Sequence, residues 1–410
     1  MNLFFLSLVL ILVIIIKKIN SLNAYIHIGP HKTGSTEMQE LIRYNLETFK
    51  QYNITAIGFD VFPKAMDIFV RTYLIADNHS EWIDDRIEEI KTSKNDILIS
   101  SETFDSLNKT AIIKLKKLLS GYNVTIIATH RARLSHIHSY WAQTIGMQFN
   151  KDERVFQNIK DFSEYFMSTC QFYEHNNVNT VGIGYNFKTV LESYAEVFGY
   201  KSIEVISFEG AVLKYNHHPS SLFYALLEEV LDIPVDSGNP FNTGNGNTWN
   251  SSYFQLDMLV TINKFNILRG CKFNAAVKSV KAIIDEYETR LTKSSKIVYP
   301  PVRFISDDLH IKKAYTYYLA PPIETFSDPM KLEVLCLESL ENDEVSMKTW
   351  NDLLSKVSVC STMRATDSLT QYQSVTFPSI FKFLMMVLLF VTLSLTVYKK
   401  IKSYGLTQVI

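Results

Sequence analysis

Three groups of residues carry the chemistry of this chain. The first is Gly29-Pro30-His31-Lys32-Thr33-Gly34-Ser35-Thr36, where a lysine and three hydroxyls lie among two glycines. A loop that cradles phosphate needs such residues. Glycine lets backbone N–H groups approach an anion closely, lysine adds a mobile positive charge, and hydroxyls donate. The second is Glu102, at the polar end of Asp96-Ile97-Leu98-Ile99-Ser100-Ser101, a carboxylate suited to general-base work. The third is Arg131 with Ser139. An arginine fork grips phosphate bidentately, and a serine eight residues on, across a turn into a helix, bonds the same phosphate. Two separate anion sites exceed what a mononucleotide with a single phosphate chain needs. His31 and His130 stand beside these sites as alternative bases.

The loop is not a Walker A motif. That motif places Lys directly after its second Gly, whereas Ser35 holds that place here and Lys32 comes before Gly34. A lysine so far forward meets a different part of a nucleotide.

These residues need a scaffold that brings distant segments together. Ala24 to Ile28 alternates as a strand does. From Ser35 the apolar residues Met38, Leu41, Ile42, Leu46 and Phe49 fall at helical spacing. Thr36 and Gln39 have capping-box spacing. Further strands are expected at Ile54–Phe59, Asp96–Ser101, Val124–Thr129 and Ser202–Phe208, with helices at 64–94, around Lys114, Lys116 and Lys117, and at Phe187–Phe198. Strands alternating with helices predict an α/β fold, a three-layer sandwich with a central parallel sheet, P-loop-like in character. The strand ends bearing Lys32, Glu102 and Arg131 then converge on one crevice. Residues 234–250 read as a loop, 252–295 as helical and 296–332 as irregular.

The 410 residues suffice for one large or two ordinary domains, and 41 basic against 42 acidic residues exclude a general nucleic-acid binder. Residues 3–16 are almost wholly apolar, too short to span a bilayer and suited to a signal peptide cleaved near Ser21. A retained signal-anchor is the alternative, since Lys17 and Lys18 follow the run and no basic residue precedes it. Residues 378–398 are long enough to span, and Lys399, Lys400 and Lys402 after them belong in the cytosol by the positive-inside rule. The expected order is a leader at 1–21, a lumenal domain at 22–360, a stalk at 361–377, a transmembrane helix at 378–398 and a cytosolic tail at 399–410. Sequons at Asn53, Asn78, Asn108, Asn123 and Asn250 permit a lumenal address, although five is near chance in so Asn-rich a chain. Four cysteines allow two disulfides, and Cys336 with Cys360 is the preferred pair because they are nearest in sequence. Four unpaired thiols remain the alternative.

The motifs together resemble the PAPS-dependent sulfotransferases, particularly the membrane-associated carbohydrate-modifying and related bacterial-type branch. His27-Ile28-Gly29-Pro30-His31-Lys32-Thr33-Gly34-Ser35-Thr36 is similar to that family's 5′-phosphosulfate loop, with Ser35 replacing one Thr. Arg131 and Ser139 match its 3′-phosphate pair in type and spacing. Phe198-Gly199 and the following Ile203-Glu204-Val205-Ile206-Ser207-Phe208 resemble a later block. The likeness covers about residues 24–265. It implies PAPS as donor, no metal, Lys32 on the 5′-phosphate and leaving oxygen, and Glu102 as base. It implies a glycan, glycolipid or other hydroxyl acceptor in the Golgi or another secretory membrane. The RKGxxGxWK-like tail of the cytosolic enzymes is absent, and Trp141 is a candidate adenine stacker by type alone. Two rivals stand beside this reading. A P-loop kinase or NTPase needs GK[ST] and a magnesium-binding Asp, and the chain shows neither. A non-catalytic membrane protein on a sulfotransferase-like domain fits the topology, but Lys32, Arg131 and Ser139 are all intact.

Overall fold

The computed structural model describes residues 21–60, 65–149, 159–175, 187–235, 253–269, 271–273, 277–336, 338 and 342–360. The expected leader up to residue 20, the stalk, transmembrane helix and tail, and Asn250, lie outside the described residues. Among the described residues no helix is long and apolar enough to cross a membrane.

The strands are β1 (Asn23–His27), β2 (Ile54–Ala56), β3 (Asp96–Ser100), β4 (Asn123–His130), β5 (Ile203–Ser207), β6 (Cys271–Phe273), β7 (Lys293–Val298), β8 (Thr316–Tyr318), β9 (Met330–Leu335) and β10 (Ser358–Cys360). Six of them form one sheet in the order β2-β3-β1-β4-β5-β8, and every pairing in it is parallel. The helices used below are α1 (Ser35–Tyr44), α2 (Glu81–Thr92), α3 (Lys109–Leu118), α4 (Arg133–Phe149), α5 (Phe187–Phe198), α6 (Phe208–Lys214) and α7 (Val302–Ala314).

Because strand side chains alternate, the near-continuous apolar runs feed two cores. Ile26, Ile99, Ile126 and Val205 pack on one face with Ile87 of α2, Leu115 of α3 and Leu191 of α5. Leu98, Ile127 and Ile206 pack on the other with Met38 and Leu41 of α1 and Ala211 of α6. A parallel sheet needs both faces covered, and each fully buried aliphatic side chain contributes about 1.5–3 kcal/mol. The three-layer expectation therefore holds. The crossover from β1 begins on one face, and those around β3 and β4 use the other. That change of face creates a crevice beyond the carboxyl end of β1, where ligands of such sheets bind.

The chain divides into two compact units, Met1–Met147 with Lys160–Tyr253 and Ser295–Glu333, and Gln148–Ile159 with Phe254–Ser294 and Val334–Ile410. The sheet and all the candidate residues belong to the first. In the second, β6 and β10 pair antiparallel with Cys271 opposite Cys360. Cys271 is disulfide-bonded, whereas Cys336 is not. The expected Cys336–Cys360 pair is thus wrong: strand pairing, not nearness in sequence, decides which residue faces Cys360. Asn53, Asn78, Asn108 and Asn123 are exposed.

Several boundaries differ from expectation. Residues 252–295 are broken by β6, because Lys272 alternates between buried Cys271 and Phe273. Residues 296–332 hold α7 and β8. Strand β8 has only three residues at the sheet edge, too short for periodicity to register.

Candidate active site

Strand β1 feeds the loop without a break in pairing. Ile28 N donates to Ile127 O at 2.9 Å and Thr129 N to Gly29 O at 2.9 Å. The chain then turns sharply. The Gly29–Pro30 peptide is cis, and Gly29, Lys32 and Gly34 have φ of 84°, 68° and 82°. Gly34 is the N-cap of α1 in left-handed conformation, and no side chain caps the helix. The expected capping box is therefore absent. Thr36 turns to Glu102 instead, and Gln39 Nε2 reaches Ser100 Oγ at 3.4 Å. The left-handed backbone favours glycine at Gly34, and a Cβ there would stand 2.5 Å from Leu222 Cδ1, so the end of that side chain would have to shift.

The hydroxyls do not all face the crevice. Thr33 is fully buried and its Oγ1 donates to Pro30 O at 2.7 Å, bracing the loop. Its offer to an anion is its backbone N–H. Ser35 Oγ lies 2.7 Å from Glu102 Oε1 and 3.1 Å from Pro30 O, and its single hydrogen favours the nearer, charged acceptor. Thr36 Oγ1 donates to the same Oε1 at 2.9 Å.

Glu102 is not the last residue of a strand. It opens a single 3₁₀ turn, Glu102–Ser106, after Ser101 has capped that turn with its hydroxyl. The turn aims the carboxylate back into the loop. Its Oε2 lies 2.7 Å from His31 Nδ1, and the side chains are 5% and 29% exposed respectively. One carboxylate thus gathers His31, Ser35 and Thr36. Two more contacts hold the His31 backbone: His136 Nε2 reaches its carbonyl at 2.7 Å, and Asp105 Oδ2 accepts from its N–H at 3.4 Å. Burial pushes the Asp105 carboxyl up to about 7, against the pull of His31. Burial pushes His136 down to about 3 and His27, whose Nδ1 meets Ser100 Oγ at 2.7 Å, down to about 4. Both imidazoles are neutral in the fold.

Arg131 follows β4 directly. Its Nη1 donates to Lys32 O at 3.1 Å and its Nε to Ser135 Oγ at 2.8 Å, while its guanidinium lies 4.6 Å from the Phe208 ring centroid. Burial lowers its pKa and Glu209 opposes the shift; the guanidinium stays charged. Ser139 makes no hydrogen bond to Arg131. It lies one helical turn beyond Ser135 on the same face of α4. Ser135 is a member of this site that spacing from Arg131 alone did not single out, since an i+4 serine in a helix has many uses.

The turn from His130 to Arg133 is held by two acids, the buried Asp308 and the half-buried Glu209. His130 Nε2 lies 3.1 Å from Asp308 Oδ1 and its Nδ1 2.7 Å from Tyr317 OH. Arg133 N donates to Asp308 Oδ2 at 3.1 Å, and Ala132 N to Glu209 Oε1 at 3.1 Å. With both ring nitrogens bonded, His130 is a strut and not a base. Sequence reasoning missed Asp308 because it lies on α7, in the stretch read as irregular. Trp141 is fully buried and its Nε1 donates to Lys160 O at 3.0 Å, so it is a core residue and offers no face for stacking.

Lys32, His31, Glu102 and Arg131 are thus brought to one end of the sheet. No protein-family model and no curated protein matches the chain. Among solved structures it is similar to a sulfotransferase from Alicyclobacillus acidocaldarius, at 12% identity and a TM-score of 0.35, with 60% of this chain and 95% of that chain covered. A likeness of that size carries no weight for activity.

Proposed function

We propose that this chain is a PAPS-dependent sulfotransferase that moves a sulfuryl group to a hydroxyl or amine of an acceptor, a glycan or glycolipid by preference. The observation that carries the reading is the bond from Arg131 to the Lys32 carbonyl, which ties the two anion-binding elements to one crevice. PAPS, a donor substrate and not a resident cofactor, carries phosphate at both ends of its ribose. The chain offers an uncapped helix start with a left-handed glycine for the 5′-phosphate and a packed arginine beside two serines for the 3′-phosphate.

Sulfuryl transfer is in-line displacement on a group whose charge is spread over oxygens, so positioning and electrostatics carry most of the catalysis. Lys32 and the N–H groups of Gly34, Ser35 and Thr36 hold the 5′-phosphate and steady the charge that develops on the leaving oxygen. The hydroxyls of Ser35 and Thr36 stay on Glu102. Arg131, with Ser135 and Ser139, holds the 3′-phosphate. The base comes from the Glu102–His31 pair. No step calls on a metal. A secretory-membrane location with a lumenal catalytic domain follows from residues 378–398 and the lysines after them.

The test is transfer from labelled PAPS to a panel of glycans by the full-length protein, with EDTA present. Labelled glycan in the wild type and none in Lys32→Ala supports the reading. Absence of transfer together with absence of PAP binding ends it, and magnesium-dependent transfer of label from γ-labelled ATP, with none from PAPS, favours the kinase-like alternative.

A further inference from the structure

Glu102 and His31 form one unit, but they differ in how much of each an acceptor can approach. Glu102 is 5% exposed at its side chain. Its Oε1 accepts from the hydroxyls of Ser35 and Thr36, and its Oε2 faces His31 Nδ1. Hydrogen bonds to a carboxylate stabilise its ionised form and weaken it as a base. Three of its roughly four acceptor positions are already turned to the loop, and the side chain as a whole is buried. His31 is 29% exposed and lies toward solvent from the same pair. Its position is fixed through side chain, carbonyl and N–H by Glu102, His136 and Asp105. A proton on Nδ1, held by Glu102, makes Nε2 the basic nitrogen.

We propose that His31 Nε2 is the proton acceptor of the reaction, with Glu102 as its positioning residue; this rests on the sulfotransferase reading above. As the acceptor oxygen bonds to sulfur, its proton passes to His31 Nε2. The bond from sulfur to the bridging oxygen of the 5′-phosphate breaks, and the electron pair leaves on that oxygen. Glu102 stabilises the imidazolium that results.

The experiment measures transfer from labelled PAPS, to water and to any accepting glycan, by the full-length protein, with PAP binding measured in parallel. His31→Asn keeps an N–H donor for Glu102 and removes the base. It is expected to lose turnover by about 10²–10⁴-fold while PAP affinity holds. His31→Ala is expected to regain turnover when imidazole is added, whereas Glu102→Gln loses turnover, keeps PAP affinity and gains nothing from imidazole. Wild-type turnover in His31→Asn, or a loss in His31→Ala that imidazole does not restore, overturns the assignment. Failure of the wild type to bind PAP is a different result, and it removes the sulfotransferase reading itself.

Discussion

The Arg131 guanidinium donates to the Lys32 carbonyl across 3.1 Å, although 99 residues separate them in sequence. The bond fixes the spacing between the two anion-binding elements and holds Lys32 at its positive φ of 68°. Arg131→Lys removes the planar fork that serves Lys32, Ser135 and a phosphate together. PAP affinity is expected to fall about 10–100-fold, the worth of a charge-assisted hydrogen bond. Affinity for AMP, which lacks the 3′-phosphate, falls far less. Calorimetric titration of both ligands checks the difference.

Ser35 and Thr36 are hydroxyls that a phosphate loop would ordinarily aim at its ligand, yet both donate to Glu102. Ser35→Ala is therefore expected to lower kcat by loosening the Glu102–His31 pair while PAP affinity changes little. A fall in PAP affinity matching the fall in kcat would place the Ser35 hydroxyl on the donor instead.

Gly34 combines a φ of 82° with a Cβ position 2.5 Å from Leu222 Cδ1. Gly34→Ala is expected to cost about 1–3 kcal/mol from the backbone alone, with the contact adding to it. Leu222→Ala in the same chain relieves the contact and leaves the backbone cost, so the two changes together cost less than their sum. Urea midpoints of the two single variants and the double variant measure this.

Buried groups set the pH dependence of stability. His136 and His27 have folded values of about 3 and about 4, below the ordinary 6.5. As pH falls below 6.5 the unfolded chain takes protons first, so stability present above that pH is lost toward the folded values. Asp105 runs the other way. Its folded value of about 7 exceeds the ordinary 3.8, so it contributes below 3.8 and that contribution is lost as pH rises through 7. Urea midpoints from pH 5 to 8 should show His136→Asn falling less than wild type on the acid side. Asp105→Asn should gain on wild type as pH rises.

The sheet was legible because buried parallel strands read as apolar runs, as Ile97-Leu98-Ile99 and Ile126-Ile127-Ala128 do. The loop was legible because Gly29, Lys32 and Gly34 sit at a junction of two periodicities. Roles within the loop were not. Thr33, Ser35 and Thr36 are equivalent in sequence, and only the turn that swings Glu102 back toward them divides bracing from catalytic support. Arg131 likewise advertises a partner at Ser139, whereas helix geometry offers it Ser135 first. Asp308 was invisible because its meaning depends on His130 and Arg133, 178 and 175 residues away. Trp141 shows the opposite error, a residue of suitable type whose burial removes it from the site.

The central claim, that Lys32 and Arg131 serve two phosphates of one donor, is tested most directly by titrating the full-length protein with PAP and with AMP in EDTA. PAP is expected to bind at least about tenfold tighter than AMP, a difference of roughly 1.4 kcal/mol or more, and the difference is expected to disappear in Arg131→Ala. Equal affinity for the two ligands, or no binding of PAP, would contradict it.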